Sequence, residues 1–331
     1  MIRFKCGFEK LGNLPDPVYL HEDDTCDIIE WDSLVTLSLK QKWNPNYIKL
    51  IHRFGVRGIE ACDGDGWNDE TIDFLKKIPD LRSVMISTSS ELDLKPLEKL
   101  SELTSLWITS ACALDLSPLE RLPNLEELTL FLKSKEQSDF DFTRLRRLQT
   151  CKLDWIPQFQ SVCKCTGLKS LWILWVRGIS SDGYPELREL DLREMGNLEE
   201  LTLEGLIDLK KIDLSEAARI RALRISQCRK LQVDLNRFVR DLECLQLEGK
   251  IAFPLDDLGL AKCLKIFQFM FLNNKLPIPP FISKLPRLID GLAVDTKLSE
   301  PDRRVEAGFS ANRRARNKQK EEETRSPKDR F

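Results

Sequence analysis

The sequence predicts an α/β solenoid: a right-handed superhelix with a concave parallel β-sheet and short helices or extended segments on its convex side. Two observations carry this. The phrase L-x-x-[LV]-x-[LI] recurs at Leu81, Leu103 and Leu125, a fixed step of 22 residues. A second phrase repeats inside each step, Asp93-Leu-Lys-Pro-Leu-Glu-Lys-Leu100 being echoed by Asp115-Leu-Ser-Pro-Leu-Glu-Arg-Leu122. Self-similarity at this period marks a chain of stacked coils, each too small to bury its own apolar face.

Within the first phrase the last two apolar residues alternate with polar ones, so they share one face of a short strand and the residues between them share the other. The second phrase carries leucines three apart with Pro96 or Pro118 near its start, which predicts about one turn of helix returning the chain. Stacked coils then share a continuous core in which each buried leucine contributes roughly 1.5–3 kcal/mol. The polar strand positions line up as a concave wall, the surface that solenoids use for binding.

In chain order, residues 1–33 precede the clear repeats and are read as an N-terminal cap over an end that would otherwise expose core, with strand-like Val18-Tyr-Leu20 and Cys26-Asp-Ile-Ile-Glu-Trp31. The solenoid is assigned to 34–290. It opens with Leu34-Val-Thr-Leu-Ser-Leu39 and a weaker strand at Val56-Arg-Gly-Ile-Glu-Ala61, with a helix over Tyr47–Phe54 between them. The glycine-rich Cys62–Glu70 reads as a turn into a helix over Thr71–Ile78. After Leu125 the phrase continues at Leu148 and Leu168, and from Leu187 it returns every 11 residues, at Leu187, Leu198, Leu209 and Ile220, then at Leu231 and Leu242. Half-length spacing predicts extended segments on both sides of each coil. The concave strands are then those at 187 and 209 or those at 198, 220, 242 and 264; the 22-residue step from Leu242 to Leu264 favours the second set. The apolar, proline-rich Leu276–Leu288 is expected to close the last coil, 291–298 to end the cap there, and 299–331 to form a disordered charged tail.

Of 331 residues, 42% are hydrophobic, enough for a large shared core, and the net charge is −2. The tail holds ten Lys/Arg and seven Asp/Glu, leaving 41 basic and 46 acidic residues in the body, a balance that argues against nucleic acid as the ligand. The start, Met1-Ile-Arg-Phe-Lys-Cys-Gly-Phe-Glu-Lys10, has no apolar signal region and no stretch is long enough to span a membrane, so the expected location is the cytoplasm, with no membrane partner. The ten cysteines are scattered without an even framework and read as reduced thiols.

These repeats resemble the leucine-rich repeat superfamily. The Asp-Leu-x-Pro-Leu-x-x-Leu segments are similar to the 22-residue class of internalin-like bacterial proteins, and Ile220-Arg-Ala-Leu-Arg-Ile-Ser-Gln-Cys228-Arg-Lys-Leu231 is similar to the cysteine-containing repeats of plant immune receptors and F-box proteins. The resemblance covers about residues 34–290 and implies protein recognition. One departure is visible: where the family carries asparagine after the strand, this chain has Ser89, Ala111, Met195, Leu206, Ala217 and Cys228.

The predicted binding face follows from the strand phase. Its central column is Met85, Trp107, Thr129, Lys152 and Trp172, with Ser87, Thr109, Phe131, Asp154 and Leu174 alongside. From these, Met85, Trp107, Thr109, Thr129, Phe131, Lys152, Asp154 and Trp172 are the candidate partner-binding residues. Tryptophan flanked by methionine and phenylalanine on a strand's solvent side is the composition of an interface hot spot. Further on, the face carries Glu200, Glu204 and Glu248, or else Glu189, Asp191 and Asp213, according to register, accompanied by Arg193, Lys211 or Arg224.

Catalytic chemistry finds little material. His21 and His52 are the only histidines, too few for a histidine triad or a zinc site. Asp63-Gly-Asp-Gly-Trp-Asn-Asp-Glu70 has the look of a calcium loop, but its twelfth position is Phe74 where a bidentate Glu is required, so it reads as a tight turn. Cys163-Lys-Cys165 lacks the spacing of a redox or zinc pair. The expectation is a non-enzymatic module with no cofactor, metal or small-molecule substrate, capturing another protein on its concave face as an inhibitor, immunity factor or adaptor. The alternatives are a structural subunit of a larger assembly, using the convex face or tail, and a cysteine-dependent enzyme built on Cys163 or Cys165.

Overall fold

A computed structural model describes residues 18–31, 34–134, 137–175, 187–216, 218–233, 240–248, 263–264, 266–270 and 293–294. The start of the expected cap, the proline-rich closing segment and the charged tail lie outside these residues.

Strands β1 (Val18–Glu22) and β2 (Cys26–Trp31) form an antiparallel hairpin, and β2 pairs antiparallel with β3 (Leu34–Leu39). From β3 onward every neighbour in the main sheet is parallel. The order runs β4 (Gly58–Cys62), β5 (Ser83–Thr88), β6 (Ser105–Ser110), β7 (Glu127–Leu132), β8 (Thr150–Asp154) and β9 (Ser170–Leu174). After β10 (Glu189–Leu192), the main sheet resumes with β11 (Glu200–Glu204); after β12 (Lys211–Leu214), it continues through β13 (Ala222–Ser226), β14 (Cys244–Glu248), β15 (Ile266–Met270) and β16 (Ala293–Val294). Strands β10 and β12 pair with each other in a separate parallel ribbon. This is a parallel-strand solenoid of the kind that the leucine-rich phrase predicts, with an antiparallel hairpin lying against the edge of its first strand.

The repeat phrase accounts for each coil. Val84 and Ile86 of β5, Leu106 and Ile108 of β6, and Leu128 and Leu130 of β7 are buried, as are Leu94, Leu97, Leu100, Leu116, Leu119 and Leu122 in the returning segments. Those returns are 3-10 turns, Lys95–Lys99 and Ser117–Arg121, each with proline in its first turn, and not a full α-helical turn. The aspartate that opens each return explains the phrase. Asp93 Oδ1 accepts from the Lys95 N–H at 2.9 Å and Asp115 Oδ1 from the Ser117 N–H at 3.0 Å, an Asx-turn that starts the bend before proline continues it. Asp141 does the same for Thr143 at 3.1 Å.

The helix expected over Tyr47–Phe54 forms, α1, ending on Gly55 at φ +65°. The segment expected to be helical over Thr71–Ile78 is instead a shorter 3-10 turn, Asp73–Lys77. The acidic turn before it is closed by its own carboxylates. Asp69 Oδ2 accepts from the Trp43 N–H at 2.6 Å and from Nε1 of the buried Trp67 at 2.9 Å, and Asp63 Oδ2 accepts from the Ser89 N–H at 2.8 Å. Gly66 sits in this turn at φ +108°, where an added Cβ would lie 2.3 Å from the Lys40 carbonyl oxygen. Gly66→Ala therefore combines left-handed strain with a backbone clash and is expected to destabilise the N-terminal coils by about 2 kcal/mol or more, read from chemical denaturation.

Hydroxyls on the last residues of β5 and β6, and one buried amide beyond β7, bond the backbone next to the positions where the family's asparagine is missing. Thr88 Oγ1 accepts from the Ser90 N–H at 3.1 Å, Ser110 Oγ accepts from the Cys112 N–H at 3.1 Å, and Gln137 Oε1 accepts from the Leu114 N–H at 3.1 Å. No helix among the described residues is long and apolar enough to cross a membrane.

Candidate protein-binding face

The parallel register brings the predicted column together. Met85 pairs with Trp107, Trp107 with Thr129, Thr129 with Lys152, and Lys152 with Trp172, so these side chains project from one face of consecutive strands. Pairing of β9 with β11 carries the column on to Thr202, then to Arg224 and Gln246. That pairing also settles the 11-residue ambiguity. The concave strands are those of the 198, 220, 242 and 264 set, so Glu200, Glu204 and Glu248 belong to the concave sheet, while Glu189, Asp191 and Asp213 belong to the separate ribbon. In that ribbon Asp191 is paired with Arg193 at 2.5 Å and Asp213 with Lys211 at 2.8 Å.

Met85, Trp107 and Trp172 are half-buried, as are Thr109 and Phe131. The Trp107 ring meets Phe131 edge-on, 5.4 Å between centroids, and its Nε1 donates to Thr109 Oγ1 at 3.0 Å. This fixes both rings in an arrangement that favours their quadrupoles. Lys152 Nζ lies 5.2 Å from the Trp172 ring centroid, a cation–π contact. Trp172 Nε1 is buried with no hydrogen-bond acceptor among the described residues.

Three of the predicted residues are set deeper than strand alternation implies. Thr129, Lys152 and Asp154 are only 8, 5 and 4% exposed. Alternation decides which face a side chain leaves by, whereas neighbouring large side chains decide how much water reaches it; the Trp172 ring against the Lys152 ammonium illustrates this. Asp154 is the extreme case. Neither of its carboxylate oxygens has a hydrogen-bond partner among the described residues. Burial pushes its carboxyl up to about 7, against weaker opposing pulls from the Leu132 N–H, which falls short of hydrogen-bond geometry, and the Lys133 ammonium. Among described residues, so few buried polar atoms lack partners that each invites an explanation.

Asp154 lies in a recess of about 560 Å³ at the C-terminal ends of β7, β8, β9 and β11. Its lining includes Thr109 and Phe131 from the predicted set, joined by Lys133, Leu174, Trp175, Glu204, Gly205 and Gln227. Trp175, one residue past β9, was not in the predicted set; its N–H donates to the Glu204 carbonyl at 2.8 Å, which extends the ladder one step beyond the strand. Gly205, at φ +73°, permits that approach, since a Cβ there would meet the Trp175 carbonyl oxygen at 3.1 Å. A second, more polar recess of about 170 Å³ lies beside it, lined by Trp172, Thr202, Arg224, Gln246 and Glu248, and shares Glu204. Glu200, half-buried, accepts from Ser170 Oγ at 3.1 Å, and burial raises its carboxyl above the usual range.

The cysteines proposed as alternative nucleophiles are packed into the core. Cys163 and Cys165 are buried, and burial pushes both thiols up to about 12, so they are neutral at physiological pH and poor nucleophiles. Nine cysteines among the described residues are unbridged.

No family model and no curated protein matches the chain. Its fold resembles several solved leucine-rich repeat structures. An internalin, InlF, of Listeria monocytogenes is 16% identical over 62% of this chain and 66% of its own, with a TM-score of 0.34. TLR13 in complex with a single-stranded RNA is 18% identical over 66% of this chain and 40% of its own, with a TM-score of 0.34. A leucine-rich repeat protein of Leptospira interrogans is 17% identical over 76% of this chain and 81% of its own, with a TM-score of 0.31. The chain thus spans under two thirds of the internalin and of the TLR13 structure.

Proposed function

We propose that this leucine-rich repeat solenoid is a non-catalytic binding module that captures another protein on its concave sheet. The observation that carries the reading is the continuous column Met85, Trp107, Thr129, Lys152, Trp172, flanked by Phe131, in which the aromatic rings remain half-exposed on a sheet face. Large aromatic side chains held at low entropic cost and only partly covered are what interface hot spots are made of. Thr109 and Asp154 belong to the same surface, and Glu200, Glu204 and Glu248 give its far end acidic character. Carboxylates of this kind orient and steer a partner more than they add affinity. Seven of the nine described thiols are buried and none of the nine is bridged, which supports the expectation of a reducing, cytoplasmic setting. Capture of this type serves inhibition, immunity or recruitment.

The test is a comparison of faces. With the partner recovered from the source cell and then purified, Trp107→Ala combined with Trp172→Ala is expected to weaken binding at least about 30-fold, on the order of 2 kcal/mol. Glu189→Ala combined with Lys211→Ala, on the opposite ribbon, is expected to leave affinity unchanged. Equal affinities for the tryptophan variant and the unaltered protein would remove the site.

A further inference from the structure

We infer that the recess at the ends of β7, β8, β9 and β11 receives a lysine or arginine side chain presented by the partner protein, its stem against Phe131, Leu174 and Trp175 and its charged head at Asp154. This rests on the concave face being the docking surface. The argument starts from Asp154, which is 4% exposed, aimed into the recess, and without a hydrogen-bond partner for either oxygen among the described residues. A buried carboxylate without a partner is among the most costly arrangements a core can hold, and a cation with N–H donors offsets that cost in a way no apolar or anionic group does.

The remaining walls fit the same occupant. Lysine and arginine lay apolar stems along apolar surface while their heads stay in polar surroundings, and Phe131, Leu174 and Trp175 supply that surface. As aromatic rings in the lining, Phe131 and Trp175 suit a cation through cation–π attraction. Glu204 brings a second carboxylate to the lining, while Lys133, also in the lining, is exposed to solvent. The lining thus carries two carboxyl groups and one lysine. At about 560 Å³ the recess falls inside the roughly 300–1,000 Å³ range of sites that hold a ligand. Trp107 steadies one wall, through its edge-on contact with Phe131 and its hydrogen bond to Thr109.

The experiment uses the full chain labelled with 5-fluorotryptophan, whose seven tryptophans give separable fluorine resonances, that of Trp175 being assigned by Trp175→Phe. The probes are n-butylguanidinium and n-butylammonium, with n-pentanol and butyrate as neutral and anionic counterparts. The expected result is a saturable shift of the Trp175 resonance with both cations, at least tenfold weaker with the alcohol and the acid. Asp154→Asn is expected to reduce cation affinity about tenfold, and Glu204→Gln about two- to threefold, with the other tryptophan resonances reporting an unaltered fold. Comparable affinity for n-pentanol or butyrate, or a cation response indifferent to both carboxylate variants, would overturn the inference. Since no partner enters this titration, its failure leaves the tryptophan column standing. Conversely, a positive titration beside an inert tryptophan double variant would keep the recess and discard the wider docking face.

Discussion

Asp154→Leu is expected to make the protein more stable than the unaltered chain at pH 8, and the gain is expected to shrink as the pH falls toward 4. The carboxyl of Asp154 is raised from 3.8 to about 7 in the folded protein, with burial the largest cause. A carboxyl raised on folding binds more protons in the folded than in the unfolded state between those values. Its contribution is therefore fully retained below about 4 and lost as the pH climbs through about 7. At about 1.4 kcal/mol per unit, the difference between the two proteins changes by about 4 kcal/mol at most across that window. Leucine suits the position, since the register partner on β9 is Leu174. The whole-protein pH curve is not the readout, because the lowered carboxyls of Asp115, Asp141 and Asp191 act in the opposite sense; the difference between the variant and the parent isolates one group. Denaturant titrations from pH 4 to pH 8 check it. A difference that stays constant across this range would mean that the carboxylate is held ionised by a partner. The substitution is also expected to remove the recess's affinity for cations, so that stability is gained where binding is lost.

The second large effect is expected at the aromatic junction between the coils of β7 and β8. Phe140 meets Phe142 edge-on at 4.6 Å, Phe142 meets Phe159 at 5.3 Å, and the Phe142 and Phe159 rings are fully buried. Ser161 Oγ ties the same two returns together, donating to the Phe140 carbonyl at 2.7 Å and accepting from the Phe142 N–H at 3.1 Å. Phe142→Ala is expected to cost about 3–5 kcal/mol, from the buried area and the void left behind. Because a solenoid's cohesion passes only between neighbouring coils, the loss concentrates at one junction. The observable is therefore a change of shape as well as of midpoint: urea unfolding followed by hydrogen exchange is expected to split, the coils on one side of β7 and β8 opening before those on the other. A cooperative transition lowered by under 1 kcal/mol would show that this junction is not what couples the two sides.

Much of this was legible in the chain because a strand's period of two and a coil's period of 22 leave little freedom: the phrase at Leu81, Leu103 and Leu125 assigns Met85, Trp107 and Thr129 to one column, and the parallel pairing places them there. The 11-residue spacing after Leu187 was ambiguous for a physical reason. Both sides of those coils are extended, and only the pairing of β9 with β11, 30 residues apart at Ser170 and Glu200, identifies the concave side. Depth was less legible than direction. Lys152 and Asp154 leave the sheet by the predicted face and are nevertheless buried, since burial depends on large side chains of adjacent repeats, such as Trp172. The recess was not legible because Trp175, Gly205 and Gln227 lie just past their strands, where the repeat phrase no longer dictates residue type. The signal was present in Trp175, a large aromatic close to Trp172, and in Gly205, which directly follows the strand.

The central claim is that recognition takes place on the concave sheet, and site-specific photocrosslinking addresses it most directly. A benzophenone side chain is placed in turn at Ser87 and Thr202 on the concave strands and at Glu189 and Lys211 on the opposite ribbon, and each protein is irradiated with the purified partner. Adducts from Ser87 and Thr202 alone, lost when Trp107→Ala and Trp172→Ala are added, are the predicted result. Adducts from Glu189 or Lys211 that persist in the tryptophan variant would contradict the account and move recognition to the convex side.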